Sequence, residues 1–248
     1  MNTLYHFPRS LSSAAVQAVL EVTAPVNIVT MEFSAGQFSH TTGEPLHLPT
    51  GGMGLIGPVR SCPTYTEDGP QSLTMIQCAA ILERVCDLFD PDDRLRPPAD
   101  TAARARHLSL MVFAEATFFP VVQFLRREGV VAGADLSRET MRRDRFKGLI
   151  APYLLQELGD QPYLCGDAVS ACDFLMGMPC LNNAYNAGVV DSFPRLGDYF
   201  ERLRARPSFA TAHGNPDDQR LAASLGEMAA AGHTDGWDFK FRAPHERT

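Results

Sequence analysis

Three stretches of the chain carry residue types that can do chemistry. Gly52-Met53-Gly54-Leu55-Ile56-Gly57 fits the G-x-G-x-x-G pattern that cradles a dinucleotide pyrophosphate. That chemistry needs a strand leading in and a helix leading out, because helix N-terminal amides hold the phosphates. Pro49 precedes the glycines and Pro58 and Pro63 follow them, so no helix can begin there and the segment reads as a loop. The second stretch, SCPTYTEDGPQSLTMIQCAAILERV from Ser61 to Val85, sets Cys62-Pro63 at the head of a short strand. Asp68-Gly69-Pro70 breaks that strand, a second run follows, and a helix opening near Met75 carries Gln77-Cys78 at its start. The third, Arg9-Ser10-Leu11-Ser12-Ser13, places three hydroxyls and a guanidinium between a strand and a helix. The six cysteines, Cys62, Cys78, Cys86, Cys165, Cys172 and Cys180, form no C-x-x-C and lack histidines at zinc-ligand spacing. They read as reduced, mostly buried thiols, and no metal is expected.

The elements that must hold these residues follow from periodicity. Thr3–Phe7 reads as a strand stopped by Pro8, residues 13–22 as a helix, and Asn27–Phe33 as a second strand. Residues 34–57 read as a long loop, and then come strand, turn, strand and the helix ending near Phe89. The order is β-α-β, a long loop, then β-β-α. PDDRLRPPAD is a linker by composition, and everything after it reads as helical. Helices are expected over 101–128, over 136–158 with a bend near Pro152, over 170–187, and over 194–206 with Pro207 after it. Ser170-Ala171-Cys172-Asp173 is a capping box, with Val169 and Phe174 placed to form a hydrophobic staple. His107, Met111, Phe113, Phe118 and Phe119 lie on the first helix after the linker, at a spacing that suits either core or the lining of a pocket, and are left unassigned. Residues 214–248 are a polar extension holding the single tryptophan, Trp237.

Bulk properties exclude several classes. A net charge of −7 and a pI near 5.5 argue against nucleic acid or an anionic membrane as partner. No apolar run approaches the roughly 20 residues that span a bilayer. The first residues, MNTLYHFPRS, lack a basic region followed by a long apolar one, so a cytoplasmic location is expected.

Four segments together resemble one family. QPYLCGDAVSACDFLMG resembles the capping-box and staple signature of cytosolic glutathione transferases, and FPRLGDYFERLRARPSFATA resembles the helix that follows it there. Pro58–Phe89 is similar to the second half of the family's thioredoxin-like domain. LYHFPRSLSSAAVQAVL aligns without gaps to the first strand and helix of the serine classes, theta and zeta. The resemblance covers roughly residues 3–212 in order and spacing.

The resemblance implies an α/β thioredoxin-like N-terminal domain over 1–90, a linker over 91–99, an all-α C-terminal domain over 100–213 and an extension over 214–248. It implies glutathione as co-substrate, a small hydrophobic electrophile as acceptor, a homodimer, and neither metal, nucleic acid nor membrane. Pro63 falls on the family's cis-proline, which turns the backbone of Cys62 toward the cysteinyl unit of glutathione. Gln77-Cys78 falls on the family's Glu/Gln-Ser pair, where helix N-terminal amides suit the γ-glutamyl carboxylate. Cys78 departs from the serine, and a thiol donates a poorer hydrogen bond. Ser10 falls on the catalytic serine, whose hydroxyl stabilises the glutathione thiolate, with Ser12 as the other candidate and Ser12 or Ser13 as the helix cap. Arg9 adds positive potential, and His40 falls where a basic or amide residue holds the glycine carboxylate. Two rivals follow: a zeta-like isomerase, against which Ser-Leu-Ser-Ser replaces that class's Ser-Ser-Cys, and a non-catalytic binding protein of the same fold, which the Cys78 departure favours.

Overall fold

The structure is a computed structural model that describes residues 1–6, 11–34, 37–40, 63–70, 72–120, 144–176 and 192–213. Its first half is a mixed sheet backed by two helices. Strand β1 (Thr3–His6) leads into helix α1 (Ser13–Glu21) and returns as β2 (Asn27–Ser34), which pairs parallel to β1. Strands β3 (Gln37–His40), β4 (Thr64–Glu67) and β5 (Leu73–Ile76) complete a five-stranded sheet in the order β3-β2-β1-β4-β5. All pairings other than β1–β2 are antiparallel. Helix α2 (Cys78–Phe89) closes this half.

Two boundaries differ from the sequence reading. The long loop expected from residue 34 begins instead with β3, which folds back on β2 with Ser34 opposite Gln37. Only two residues, one a glycine, separate the strands, and that spacing suits a tight hairpin. The helix expected from Met75 starts at Cys78, because Leu73–Ile76 pairs with β4 in full register. The apolar run is shared between a strand and a helix, and periodicity alone does not divide it.

Helix α1 explains how the two halves become one body. Every residue from Ser13 to Val19 is buried, so the helix is covered on both sides. Small Ala14, Ala15 and Ala18 allow close approach of the sheet on one side and of two helices of the second half on the other. Those are α5 (Ala171–Met176) and α7 (Pro207–His213). At the end of α1, Glu21 accepts from Arg206 at 2.9 and 2.7 Å and from the Ser208 hydroxyl at 2.5 Å. One apolar cluster runs without a break from Leu4 through Ile81 and Phe174 to Leu203.

The second half is helical among its described residues. Thr101 caps α3 (Ala102–Phe113), its hydroxyl accepting from the Arg104 amide at 3.2 Å. The helix continues through a π-helical turn, Ala114–Phe118. A second π-helical turn, Phe146–Ile150, precedes α4 (Ala151–Leu158). Pro152 stands in the first turn of α4, directly after this widened turn. Gly159 ends α4 with φ +54°, where a side chain would be strained, and donates to the Leu155 carbonyl. Helix α6 (Pro194–Arg204) ends before Pro207, which opens α7 rather than only stopping the chain. The expected extension over 214–248 lies outside the described residues. No helix among the described residues is long and apolar enough to cross a membrane.

Half of the capping box closes as its spacing predicts: the Asp173 carboxylate takes the Ser170 amide, whereas the Asp173 amide donates to the Ser170 carbonyl and the Ser170 hydroxyl donates to the carboxylate. Asp173, with no exposed surface, accepts from the Ser170 amide at 2.8 Å and the Ser170 hydroxyl at 2.7 Å. It also accepts from the Leu164 amide at 3.0 Å and the Tyr199 hydroxyl at 2.8 Å. Burial raises its pKa against the pull of those hydrogen bonds. Asp173→Ala leaves two amides and two hydroxyls in the core without their acceptor. It is expected to lower unfolding free energy by about 3–5 kcal/mol, with Asp173→Asn costing less, as read by urea unfolding of both variants.

Candidate functional site

Sheet register brings distant stretches of sequence to one edge. Tyr5 lies opposite Thr64, and Thr64 opposite Ile76. Alongside, His6 lies opposite Thr30, and the next residue of β2, Met31, lies opposite His40. The end of β1, the start of β4, the end of β5 and His40 therefore line up across the sheet. Pro63, buried, immediately precedes Thr64 on this edge, and Gln77 immediately follows Ile76. The Cys78 thiol donates to the Leu11 carbonyl at 3.2 Å, which ties the start of α2 to the start of α1.

Of the residues singled out in the sequence, the fold thus gathers His40, Pro63, Gln77, Cys78 and Ser12 near one edge. Arg9, Ser10 and Cys62 lie outside the described residues. Ser12 is fully buried, has helical backbone angles (φ −62°, ψ −22°) and makes no side-chain cap bond to α1.

Gln77 is the strained point of this edge. It is exposed, and its backbone has φ +77° and ψ 120°, a region that non-glycine residues rarely occupy. Such a conformation costs on the order of 1–3 kcal/mol and persists where surrounding structure enforces it, often at ligand clamps. Here the enforcement is the abrupt change from β5 to α2 within one residue.

The start of α2 already holds a carboxylate. Glu115, in the π-helical turn after α3, accepts from the Ala79 amide at 3.0 Å and also from the Cys78 amide. Burial raises the Glu115 pKa, and these two backbone bonds work against that rise. A carboxylate at a helix N-terminus satisfies two orphan amides and the helix dipole together. No local pattern announces this pairing, since 36 residues separate Ala79 from Glu115. Cys78 itself is 1% exposed, so its thiol faces the Leu11 carbonyl in the interior.

A second cluster was also missed in the sequence. His107, Cys165 and Cys172 place one ligand atom each within 4.8 Å of one another, a group able to hold a metal ion. They come from α3, from the turn before α5 and from the first turn of α5, and no local spacing announces them.

No protein-family model matches the sequence, and no curated protein matches it. Solved structures do. A glutathione S-transferase from Actinobacillus pleuropneumoniae matches with a TM-score of 0.67 at 18% identity, over 91% of this chain and 99% of that one. A sphingomonad glutathione S-transferase complexed with glutathione matches with a TM-score of 0.65 at 21% identity, over 85% of this chain and 96% of that one. Glutathione transferase E6 from Drosophila melanogaster matches with a TM-score of 0.67 at 18% identity, over 94% and 98%. The chain has the glutathione transferase fold, a thioredoxin-like α/β part followed by an all-helical part.

His6 offers a test of the edge. It is 4% exposed at the end of β1, its Nδ1 has no partner among the described residues, and burial pushes its pKa down to about 4. The unfolded imidazole, near 6.5, binds a proton more readily than the folded one. Stability is therefore complete above pH ~6.5 and falls as pH drops toward ~4, by up to about 3 kcal/mol. His6→Gln is expected to flatten that part of the profile in urea unfolding measured from pH 7.5 to 4.5.

Proposed function

We propose that the protein binds glutathione along this sheet edge and presents its thiolate to a small hydrophobic electrophile. One observation carries the reading: register places the end of β1, Pro63, Gln77 and His40 on a single edge, with α1 and α2 starting there. A peptide-like ligand laid along Cys62-Pro63 gains backbone pairing, and the strained, exposed Gln77 reaches its charged end. Ser10 is the thiolate stabiliser in this reading. Ser12, the other candidate, lies fully inside the packing of α1. Arg9 and His40 add positive or hydrogen-bonding potential around the ligand carboxylates. Cys78 contributes through its backbone only, since its thiol serves Leu11. The protein works as a homodimer in the cytoplasm, and light scattering showing a monomer at micromolar concentrations would count against that assembly.

A second reading rests on Glu115. Because its carboxylate takes the Cys78 and Ala79 amides, a glutathione carboxylate must share or displace it. A protein of this fold that binds glutathione weakly, or not at all, and does no transfer is the rival. Titration calorimetry with glutathione separates the two. Gln77→Ala is expected to weaken binding about 10-fold, whereas absence of binding by the parent chain overturns the transferase reading.

The chemical step is tested at Ser10. Ser10→Ala is expected to raise the thiol pKa of bound glutathione by roughly one to two units and slow turnover near pH 7 by about 10-fold or more. Affinity should change little, because the lost bond favours thiolate over thiol. Thiolate absorbance against pH reads the shift. A curve unmoved in both Ser10→Ala and Ser12→Ala removes serine activation from this site.

A further inference from the structure

At the seam between α2, α3 and the start of α5, four side chains form a relay that the transferase reading leaves unused. Glu83 Oε1 lies 3.0 Å from His107 Nε2, and His107 Nδ1 lies 3.9 Å from Cys165 Sγ. Cys165 Sγ is in turn 3.6 Å from Cys172 Sγ, which lies 3.2 Å from the Ser170 hydroxyl. The remaining Glu83 oxygen is held by Arg96 at 3.3 Å and by Arg104. The carboxylate therefore fixes the imidazole with Nε2 turned to Glu83 and Nδ1 turned to sulfur.

The two cysteines differ in exposure. His107 and Cys172 have no exposed surface, whereas Cys165 is partly exposed in the turn bridged by Tyr163 and Gly166. We propose that Cys165 and Cys172 form a redox-active dithiol, in which Cys165 attacks a hydroperoxide and Cys172 resolves the product to a disulfide.

The charges around the sulfur suit these roles. Cys165 is pulled below the usual thiol range, first by the hydrogen bond from Cys172, then by His107 and Ser170, against its burial. Cys172 is raised by burial, then by Cys165 and Asp173, and so keeps its proton as the donor. His107 loses basicity to burial but gains more from Cys165 and Glu83, so its pKa is raised. Among the described residues, Glu83, Arg96, Arg104, Tyr153, Asp173 and the Ser170 hydroxyl also face the cluster.

The steps balance. The Cys165 thiolate attacks one peroxide oxygen, the O–O bond breaks, and the departing alkoxide takes the His107 proton as an alcohol. Cys165 is then a sulfenic acid. Cys172 sulfur attacks it, the S–O bond breaks, and hydroxide leaves as water with the Cys172 proton. Two thiols lose two electrons, and one hydroperoxide becomes one alcohol and one water.

The backbone is already arranged for the second step. Asp173 binds the amides of Leu164 and Ser170 at 3.0 and 2.8 Å, so the residue before Cys165 and the residue two before Cys172 are clamped to the same carboxylate. Closing 3.6 Å to a disulfide bond needs a shift of about 1.5 Å between sulfurs, within reach of side-chain rotation and a small turn movement.

The test uses the reduced full chain and one equivalent of hydrogen peroxide. Cleavage before aspartate puts Cys165 on DQPYLCG and Cys172 on DAVSAC, so a bond between them appears as a joined peptide pair. That pair is expected, with the protein 2 Da lighter, two thiols lost and the other four cysteines still alkylated. Peroxide should react with Cys165 at least 10-fold faster than with free cysteine at pH 7. His107→Gln should remove most of that advantage, and Cys172→Ser should trap a dimedone-reactive sulfenic acid on Cys165. Reaction no faster than free cysteine, or a disulfide formed elsewhere, overturns the proposal in the unmodified chain whatever the variants do. Cobalt titration overturns it too if intense thiolate-to-metal bands appear in the parent and vanish in Cys165→Ser and Cys172→Ser, since the cluster is then a metal site.

Discussion

A carboxylate with no exposed surface, Asp173, holds together three separate parts of the chain. It accepts hydrogen bonds from the turn at Leu164, from the cap residue Ser170 and from Tyr199 on α6. A buried charge without partners would cost several kcal/mol, so the structure is committed to keeping all of these donors in place. The consequence spreads outward. Ala171, at the start of the same helix, donates to the Leu95 carbonyl at 2.7 Å and so pins the linker to α5. Asp90 then fixes the other end of the linker by accepting from the Leu95 amide at 2.8 Å.

This anchoring lets α1 and α2 serve two layers at once. Their inner faces support the sheet, and their outer faces pack on α5 and its neighbours within one continuous apolar cluster. A sheet edge whose supporting helices are fixed from behind can hold an unfavourable backbone such as that of Gln77. The strain there is small beside the apolar burial around Ile81, Leu82 and Val85, all without exposed surface.

The start of α2 shows how a site can share its chemistry with the fold. Helix N-terminal amides attract any carboxylate within reach. The one supplied by Glu115 belongs to the helical part, so the amides that suit a ligand also join the two halves of the molecule. The Cys78 side chain is turned to the interior Leu11 carbonyl, while the neighbouring Gln77 is exposed.

What the sequence determined by itself was local. Alternation in TLYH, NIVTMEF and TYTE marked strands, the Ser170-x-x-Asp173 spacing marked a helix start, and prolines marked where elements open or end. These signals lie within a few residues of one another, so the two-part architecture and its order were legible. The boundaries of β5 and α2 were not, because LTMIQCAAIL fits both periods and only pairing with β4 divides it. The proposed edge was legible as residues and not as a place, since sheet register alone brings His40, Pro63 and Gln77 into line. Glu115 over the α2 amides, and His107 beside Cys165 and Cys172, were decided by tertiary structure alone. Such contacts join residues tens of positions apart, and packing of α3 against its neighbours sets them while no short-range pattern records it.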